Sequence, residues 1–559
     1  IPHISNEPRD LLAGHWLASL KINHNAPRTS QMKLTPASAI ALGALLGSVE
    51  SFIPRSLQAN SHPLRRTRGA SFSNSILGST VHVERGASAE AEVSTISAET
   101  ATRSASDDVR ESSASDNDTP PSPGLEENSK FDCDESVQYW RDFQSDGFWP
   151  AEENVREIGN IGSRFAQLGA KGMRYWLRHA GRSGYFAVNA LLGNAGFLLH
   201  ERLVNNKETT FTGALPFNMD SSIASRLFLE AALSYEQDYA KVSAGDYREP
   251  WDMKPNHRQS SLINVATQTG RFVSEAIGTL GRRGRGEQKD KDIWITDAAS
   301  PSLYPDYYRT AFHYQGDGWM SKKSADVYET STETLFLGRQ DAMQRTSLPP
   351  IVAHVDSIAG RRPMKVLEVA CGTGRFMTFV RDNLPLDTEY TAVDLSPYYL
   401  DAARENDSYW RKRRREEENR NGGDVGRNDI KPARLVQAQA ENLPFDDESF
   451  DAVVCVYLYH ESPRGIREKV SAEMARVLKQ GGSLVLTDSI QRGDRPSLDA
   501  GLANFENMNE PYYVDYCQDD LPGHFERNGL EPMTKIVRST TKSLSFSKPV
   551  SGVAEGDAE

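Results

Sequence analysis

Four short segments in the last third of the chain carry residue types suited to holding a nucleoside-like ligand. The first is Glu368-Val369-Ala370-Cys371-Gly372-Thr373-Gly374, at the end of an apolar run. Gly372 and Gly374 lack side chains, so the backbone there can approach a ligand closely. A dinucleotide fingerprint needs a third glycine three residues further on, where this chain has Met377. The second is Asp394, closing Thr391-Ala392-Val393. A carboxylate at a strand end can accept both ribose hydroxyl hydrogens, a device that dinucleotide enzymes share. The third is Gln439-Ala440-Glu441-Asn442-Leu443-Pro444-Phe445; the Gln439 amide offers an acceptor and donors to a base edge. The fourth is Ser449-Phe450-Asp451-Ala452-Val453-Val454, which leads to Tyr457, Tyr459 and His460. His460 lies just beyond a strand end, where doubly wound sheets place their chemistry, and is the best candidate general base. Tyr459 is a lesser candidate, as is Glu461.

The elements that must position these residues alternate from about residue 346. Strands are predicted over 365–370, 390–395, 433–437, 451–457 and 483–488. Helices are predicted over 374–384, from 397, over 464–479 and over 519–528. Alternation of this kind predicts an α/β fold with a parallel sheet and crossover helices. Residues 532–546 alternate apolar and polar in two runs, as a closing antiparallel hairpin would. The charged stretch 411–428 extends the helix from 397 and then becomes a loop.

The four segments together resemble the class I S-adenosylmethionine-dependent methyltransferases, in particular the menaquinone and ubiquinone C-methyltransferases. The family motif ExGxGxG has Ala370 at its first glycine here, its DAExLPF segment begins at Gln439, and its MxRVLKPGG turn is Met474 to Gly482 with Gln480 for proline. The resemblance implies a doubly wound, Rossmann-like seven-stranded sheet with S-adenosylmethionine as cofactor and no metal. It implies that Glu368 supports the loop and approaches the methionine amino group. Ala370, Cys371, Gly372, Thr373 and Gly374 would line the cofactor, Asp394 and Leu395 the ribose, and Gln439, Ala440, Glu441 and Tyr457 the remainder. Tyr304-Pro305-Asp306-Tyr307-Tyr308, Phe312-His313-Tyr314-Gln315 and Asp317-Gly318-Trp319 resemble an N-terminal segment of a plastid and cyanobacterial branch of these enzymes. Tyr307, His313, Tyr314 and Trp319 would form an aromatic lid over a flat or lipophilic acceptor; the same rings could pack the preceding helices onto the sheet.

The rest of the chain bounds the function. Its 559 residues carry a net charge of −13, which argues against a general nucleic-acid binder. Only four cysteines occur, none in a CxxC pair, so neither a metal knuckle nor a disulfide framework is expected. The first methionine is Met32, and residues 1–31 read as non-native upstream sequence. Residues 32–85 read as a bipartite plastid-targeting leader, with the apolar stretch 37–49, a Ser51-Phe52 junction and an acid-poor Ser/Arg/Asn run. Residues 86–130 read as a disordered linker and 131–300 as a mainly helical region. That region has apolar periodicity over 162–179, 185–200, 223–242 and 260–280, followed by a solvated loop over 282–291. The apolar stretch 185–200 is read as a buried helix rather than a membrane span. Residues 301–345 form the lid segment, 346–545 the methyltransferase domain and 546–559 a disordered tail. The implied partner is a small, lipophilic or aromatic acceptor such as a quinone or phenol, with no nucleic acid and with peripheral membrane contact allowed. Two further readings stay open: a protein or nucleic-acid methyltransferase, and a non-catalytic S-adenosylmethionine-binding scaffold.

Overall fold

The structure is a computed structural model that describes residues 123–550, apart from 208–220, 255, 286–303, 359–362, 427–428, 503–504 and 506–508. The leader, its Ser51-Phe52 junction and most of the expected linker lie outside the described residues.

Eight strands form one sheet: β1 (Asp132–Cys133), β2 (Lys365–Val369), β3 (Glu389–Asp394), β4 (Arg434–Gln437), β5 (Phe450–Val456), β6 (Leu478–Ser489), β7 (Glu531–Arg538) and β8 (Thr541–Ser547). Their spatial order is β1-β7-β8-β6-β5-β2-β3-β4. β4, β3, β2, β5 and β6 run parallel, and β8 is antiparallel to both β6 and β7. Strands buried on both faces read as unbroken apolar runs, and β5 (Phe-Asp-Ala-Val-Val-Cys-Val) is buried along its whole length. This is the doubly wound sheet the sequence predicts, with the two-residue β1 added at one edge. Strand order reverses between β2 and β5, so a crevice opens there at the carboxyl ends of the strands.

Helices α1 (Ala151–Gln167), α2 (Gly169–Leu203), α3 (Ser221–Ala244) and α4 (Leu262–Arg285) precede α5 (Lys322–Leu335). Inside the sheet region, α6 (Arg375–Asn383), α7 (Pro397–Arg420) and α8 (Arg464–Val477) are the crossovers. The helical region is not a separate body. Asp238 of α3 is fully buried and ion-paired with both Arg345 and Arg538, the latter on β7. Glu230, one turn pair earlier, pairs with Arg495 and accepts from the Ser539 hydroxyl.

Four expectations change. The periodic stretches 162–179 and 185–200 do not mark separate helices. The break falls at Gly169, whose φ of +76° ends α1, and α2 then runs on without interruption. Its polar middle is satisfied by packing: Arg182 pairs with Glu333 and Asp341, and the Ser183 hydroxyl donates to the Leu337 carbonyl. The stretch 185–200 is buried on one face only, with Leu191, Leu192 and Leu199 exposed. No helix among the described residues is long and apolar enough to cross a membrane. Residues 123–127, placed in the linker by composition, form a short helix whose buried Glu127 pairs with Lys535 and Lys542 of the terminal hairpin. Finally, 282–285 belong to α4, and Arg282 pairs with Glu275 instead of lying in a solvated loop.

Candidate functional site

The glycine loop leaves β2 through Ala370, which has φ +57°, followed by Gly372 at +53° and Gly374 at +70°. An alanine can hold this left-handed backbone only at a cost that the surroundings must offset. The Cys371 N–H donates to the Val393 carbonyl at 2.9 Å, and the Gly372 N–H donates to Asp394 Oδ2 at 2.8 Å. The other Asp394 oxygen accepts the Ser396 N–H at 2.8 Å. Asp394 therefore ties the ends of β2 and β3 together, and each carboxylate oxygen keeps a lone pair for a further donor. The two glycines do different work. A Cβ on Gly374 would fall 2.9 Å from the Ala403 Cβ, so this glycine lets the loop pack against α7. A Cβ on Gly372 would meet nothing nearer than Tyr399 at 3.9 Å, so its exposed side faces open space.

Charge sets this edge apart from the rest of the interior. Burial raises the Glu368 carboxyl to about 8, a hydrogen bond from the Tyr390 hydroxyl opposing and the neighbouring Asp394 charge reinforcing it. Burial likewise raises Asp394 to about 6 despite its backbone donors. Among the described residues neither is ion-paired. By contrast, burial of Asp238, Glu230 and Asp494 is outweighed by Arg345, Arg495 and Lys535 respectively, and all three are lowered. Burial without a protein cation favours the neutral form of these acids, and a ligand that carries positive charge would favour their ionised form. S-adenosylmethionine, with its sulfonium and ammonium groups, fits that donor set and the open side of Gly372.

The other residues that resemblance assigns to the cofactor lie around the same crevice. Leu395 is buried directly after Asp394. The Ala438 N–H donates to the Asp394 carbonyl at 3.3 Å, bringing Gln439, Ala440 and Glu441 beside the end of β3. Glu441 accepts the Tyr307 hydroxyl at 3.0 Å, so this segment also anchors residues 304–319. The Thr373 hydroxyl donates to Glu329 of α5 at 3.1 Å. Tyr457 follows β5 with φ +56°, and its hydroxyl meets Thr541 at 2.6 Å.

Beyond β5 the structure separates the two proposed catalytic residues. Tyr459 is fully buried and its hydroxyl bonds Ser471 of α8 at 2.7 Å, so it is a core residue and not part of the chemistry. His460 lies beyond the end of β5, its Nδ1 2.5 Å from Asp488 Oδ1 at the end of β6. Burial disfavours the charged ring, but Asp488, then Glu461 and Glu510, outweigh it and raise His460 to about 9. These carboxylates thus favour the protonated ring. Beside it, His313 lies between Glu461 at 3.1 Å and Glu510 at 3.0 Å. Against burial, these two carboxylates raise His313 well above the ordinary range.

The 304–319 segment packs onto this edge. Trp319 stacks on Phe312 with centroids 4.7 Å apart, and its carbonyl accepts the Ser396 hydroxyl. Tyr314 is buried, and its carbonyl accepts from Arg282 at 2.9 Å. His313, Tyr314, Ala370, Tyr457 and Asn509 all have positive φ without being glycine, the kind of backbone strain that gathers at functional edges. Asp488 and Glu510 are additions to the sequence reading. The position of Asp488 at the carboxyl end of the last parallel strand was the available signal.

A family model described as a methyltransferase domain matches residues 367–486. Phosphatidylethanolamine N-methyltransferase of Cereibacter sphaeroides is 31% identical over 193 residues, 34% of this chain and 78% of that protein. Fatty-acid O-methyltransferase of Mycolicibacterium smegmatis is 30% identical over 171 residues, 30% of this chain and 52% of that protein. Demethylmenaquinone methyltransferase of Deinococcus radiodurans is 31% identical over 167 residues, 29% of this chain and 56% of that protein. The chain thus spans about half the length of the last two relatives. With the strand order, the glycine loop and the uncompensated carboxylates, these matches show that the chain belongs to the S-adenosylmethionine-dependent methyltransferase family.

Proposed function

We propose that the protein methylates a small lipophilic acceptor, quinone- or phenol-like in character, and that it does so in a plastid. The observation that carries the methyltransferase part is the Glu368 and Asp394 pair beside an open glycine loop. Bound S-adenosylmethionine supplies an electrophilic methyl group on a positively charged sulfur. Asp394 would accept the ribose hydroxyl hydrogens on its free lone pairs, and Glu368 would face the methionine amino group. Tyr307 and Trp319, bonded to Glu441 and Ser396, would act as a lid that excludes water from the crevice. His460 can hold a polar acceptor atom as an imidazolium donor, and it can take a proton only once it has lost its own. The lipophilic class is supported by the three relatives, named for a phospholipid, a fatty acid and a quinone as acceptors. The plastid location rests on the composition of residues 32–85.

The test is to incubate the full chain with methyl-labelled S-adenosylmethionine and a fractionated cell extract. Label in the organic-solvent fraction supports the reading. Label confined to protein or nucleic acid contradicts the acceptor class.

A further inference from the structure

Helix α2 turns an apolar face to solvent. At 3.6 residues per turn, Leu177, Val188, Leu191, Leu192, Leu199 and Leu203 fall in one outward row, opposite the buried Tyr175, His179, Phe186 and Phe197. The five leucines are exposed between 44% and 72%, and Gly181, Gly184 and Ala195 fill the row between them. A surface helix ordinarily places charged residues opposite its core face, but from Leu177 to Leu199 this row has none. It spans about 39 Å at 1.5 Å per residue. The Arg178 guanidinium donates to the Ser260 hydroxyl at 2.7 Å, which sets the start of α4 beside α2. There Leu262 and Ile263 are exposed at 75% and 81%.

Charge frames this face. Residues 169–207 carry six Lys and Arg and one acid, Glu201; residues 262–285 carry four and one acid, Glu275. Both acids are buried, in a chain whose net charge is −13. Arg174, Arg182, Arg271 and Arg282 are ion-paired. Lys171, Arg202 and Lys207 are exposed and not ion-paired among the described residues. Lys171 stands before one end of the row, and Arg202 and Lys207 stand at the other. A second copy laid along the row by a two-fold axis would set cationic end on cationic end, in the parallel direction and in the antiparallel one, which opposes that contact. An anionic lipid surface is complementary to both features: leucines enter the apolar layer while Lys and Arg stems reach the headgroups. Behind the row lies a cavity of about 570 Å³, with a wall from α2, α4 and α5 and a floor from the glycine loop and α7. Gly181, Gly184 and Val188 line it from the row, and Thr373 lines it from the loop.

We propose that the outer face of α2, with the start of α4, docks on an anionic lipid surface. The helix lies in the headgroup boundary, and its inner face stays packed on the protein. That the docked surface delivers a lipophilic acceptor toward the glycine loop rests on the methyltransferase reading above; the docking itself does not.

The experiment is flotation of the full chain with vesicles of phosphatidylcholine alone and of phosphatidylcholine with an equal part of phosphatidylglycerol. The chain binds the mixed vesicles at least about tenfold more tightly than phosphatidylcholine alone, and added salt weakens that binding. Leu191→Glu with Leu199→Glu loses at least about tenfold, because a carboxylate is costly in the apolar layer. Lys171→Gln with Arg202→Gln and Lys207→Gln also loses at least about tenfold, each cation contributing about fivefold at such a surface. Residues 1–122 are the same in every variant, so these losses report on α2, and thermal melting reports whether each variant is folded. Absence of flotation, equal binding to both vesicle types, or parent-like binding by either folded variant overturns the proposal. Sedimentation without lipid gives the same mass for the parent and the leucine variant; a dimer that this variant breaks identifies a second copy as the occupant and overturns the proposal too. Failure of the parent to bind S-adenosylhomocysteine overturns the methyltransferase reading and leaves the docking standing.

Discussion

His460 Nδ1 lies 2.5 Å from Asp488 Oδ1, joining the turn after β5 to the end of the neighbouring strand β6. The ring is held near a pKa of about 9 against an unfolded value of about 6.5. Because the folded value is the higher, the pair's contribution to stability is complete below about pH 6.5. It is lost as pH rises through about 9. Asp488→Asn should flatten that loss and return the His460 titration toward neutrality. Nuclear magnetic resonance of labelled histidines, with denaturant melts across the range, checks both. An unchanged titration in Asp488→Asn would show that the carboxylate does not govern the ring. If His460 accepts a proton during turnover, activity rises toward pH 9, and the variant moves that rise to lower pH.

Glu368 has a raised pKa with no cation beside it. For an acid raised on folding, stability is greatest below its ordinary value of about 4.3 and declines until pH reaches the folded value of about 8. Glu368→Gln should therefore melt higher than the parent at pH 8, by about 2 to 4 °C for each kcal/mol gained, while binding S-adenosylhomocysteine more weakly. Lower stability together with unchanged ligand affinity would show that the carboxylate serves the fold and not the ligand.

The sheet was legible because parallel strands buried on both faces are written as unbroken apolar runs, β5 above all. The loop from Glu368 to Gly374 and Asp394 were legible for a related reason, since each sits at the end of such a run. His313 was legible as an aromatic-segment residue but not as a clamp, because Glu461 and Glu510 arrive from distant parts of the chain. Tyr459 and His460 are neighbours in sequence but their side chains take different partners, Ser471 and Asp488; no periodicity separates them in a turn of three residues. The single helix α2 was obscured by Arg182 and Ser183, which look like a break until their partners in the 333–341 segment are known. The cavity was not legible, since its wall and its floor come from regions that the sequence divides.

Asp238 joins the helical region to the sheet through Arg345 and Arg538. Removing one partner of such a buried group strands the others, at a cost of about 3 to 5 kcal/mol. Asp238→Ala should lower whole-chain stability by that order in denaturant melts and should melt helices and sheet together. Independent unfolding of the helical region at unchanged sheet stability would show that the two are separate domains.

Asp394 accepts two backbone donors of its own and has lone pairs left for a ribose. Asp394→Ala should weaken S-adenosylhomocysteine binding by about 1.5 to 3 kcal/mol, the value of hydrogen bonds to a charged group, as read by competition with a labelled ligand. Affinity equal to the parent's would place the ribose elsewhere.

The most direct test of the central claim is calorimetric titration of the full chain with S-adenosylmethionine, S-adenosylhomocysteine and NAD. The glycine loop, with Met377 where a dinucleotide site needs glycine, predicts saturable binding of the first two at one site per chain and none of NAD. Binding of NAD without binding of S-adenosylhomocysteine would contradict it.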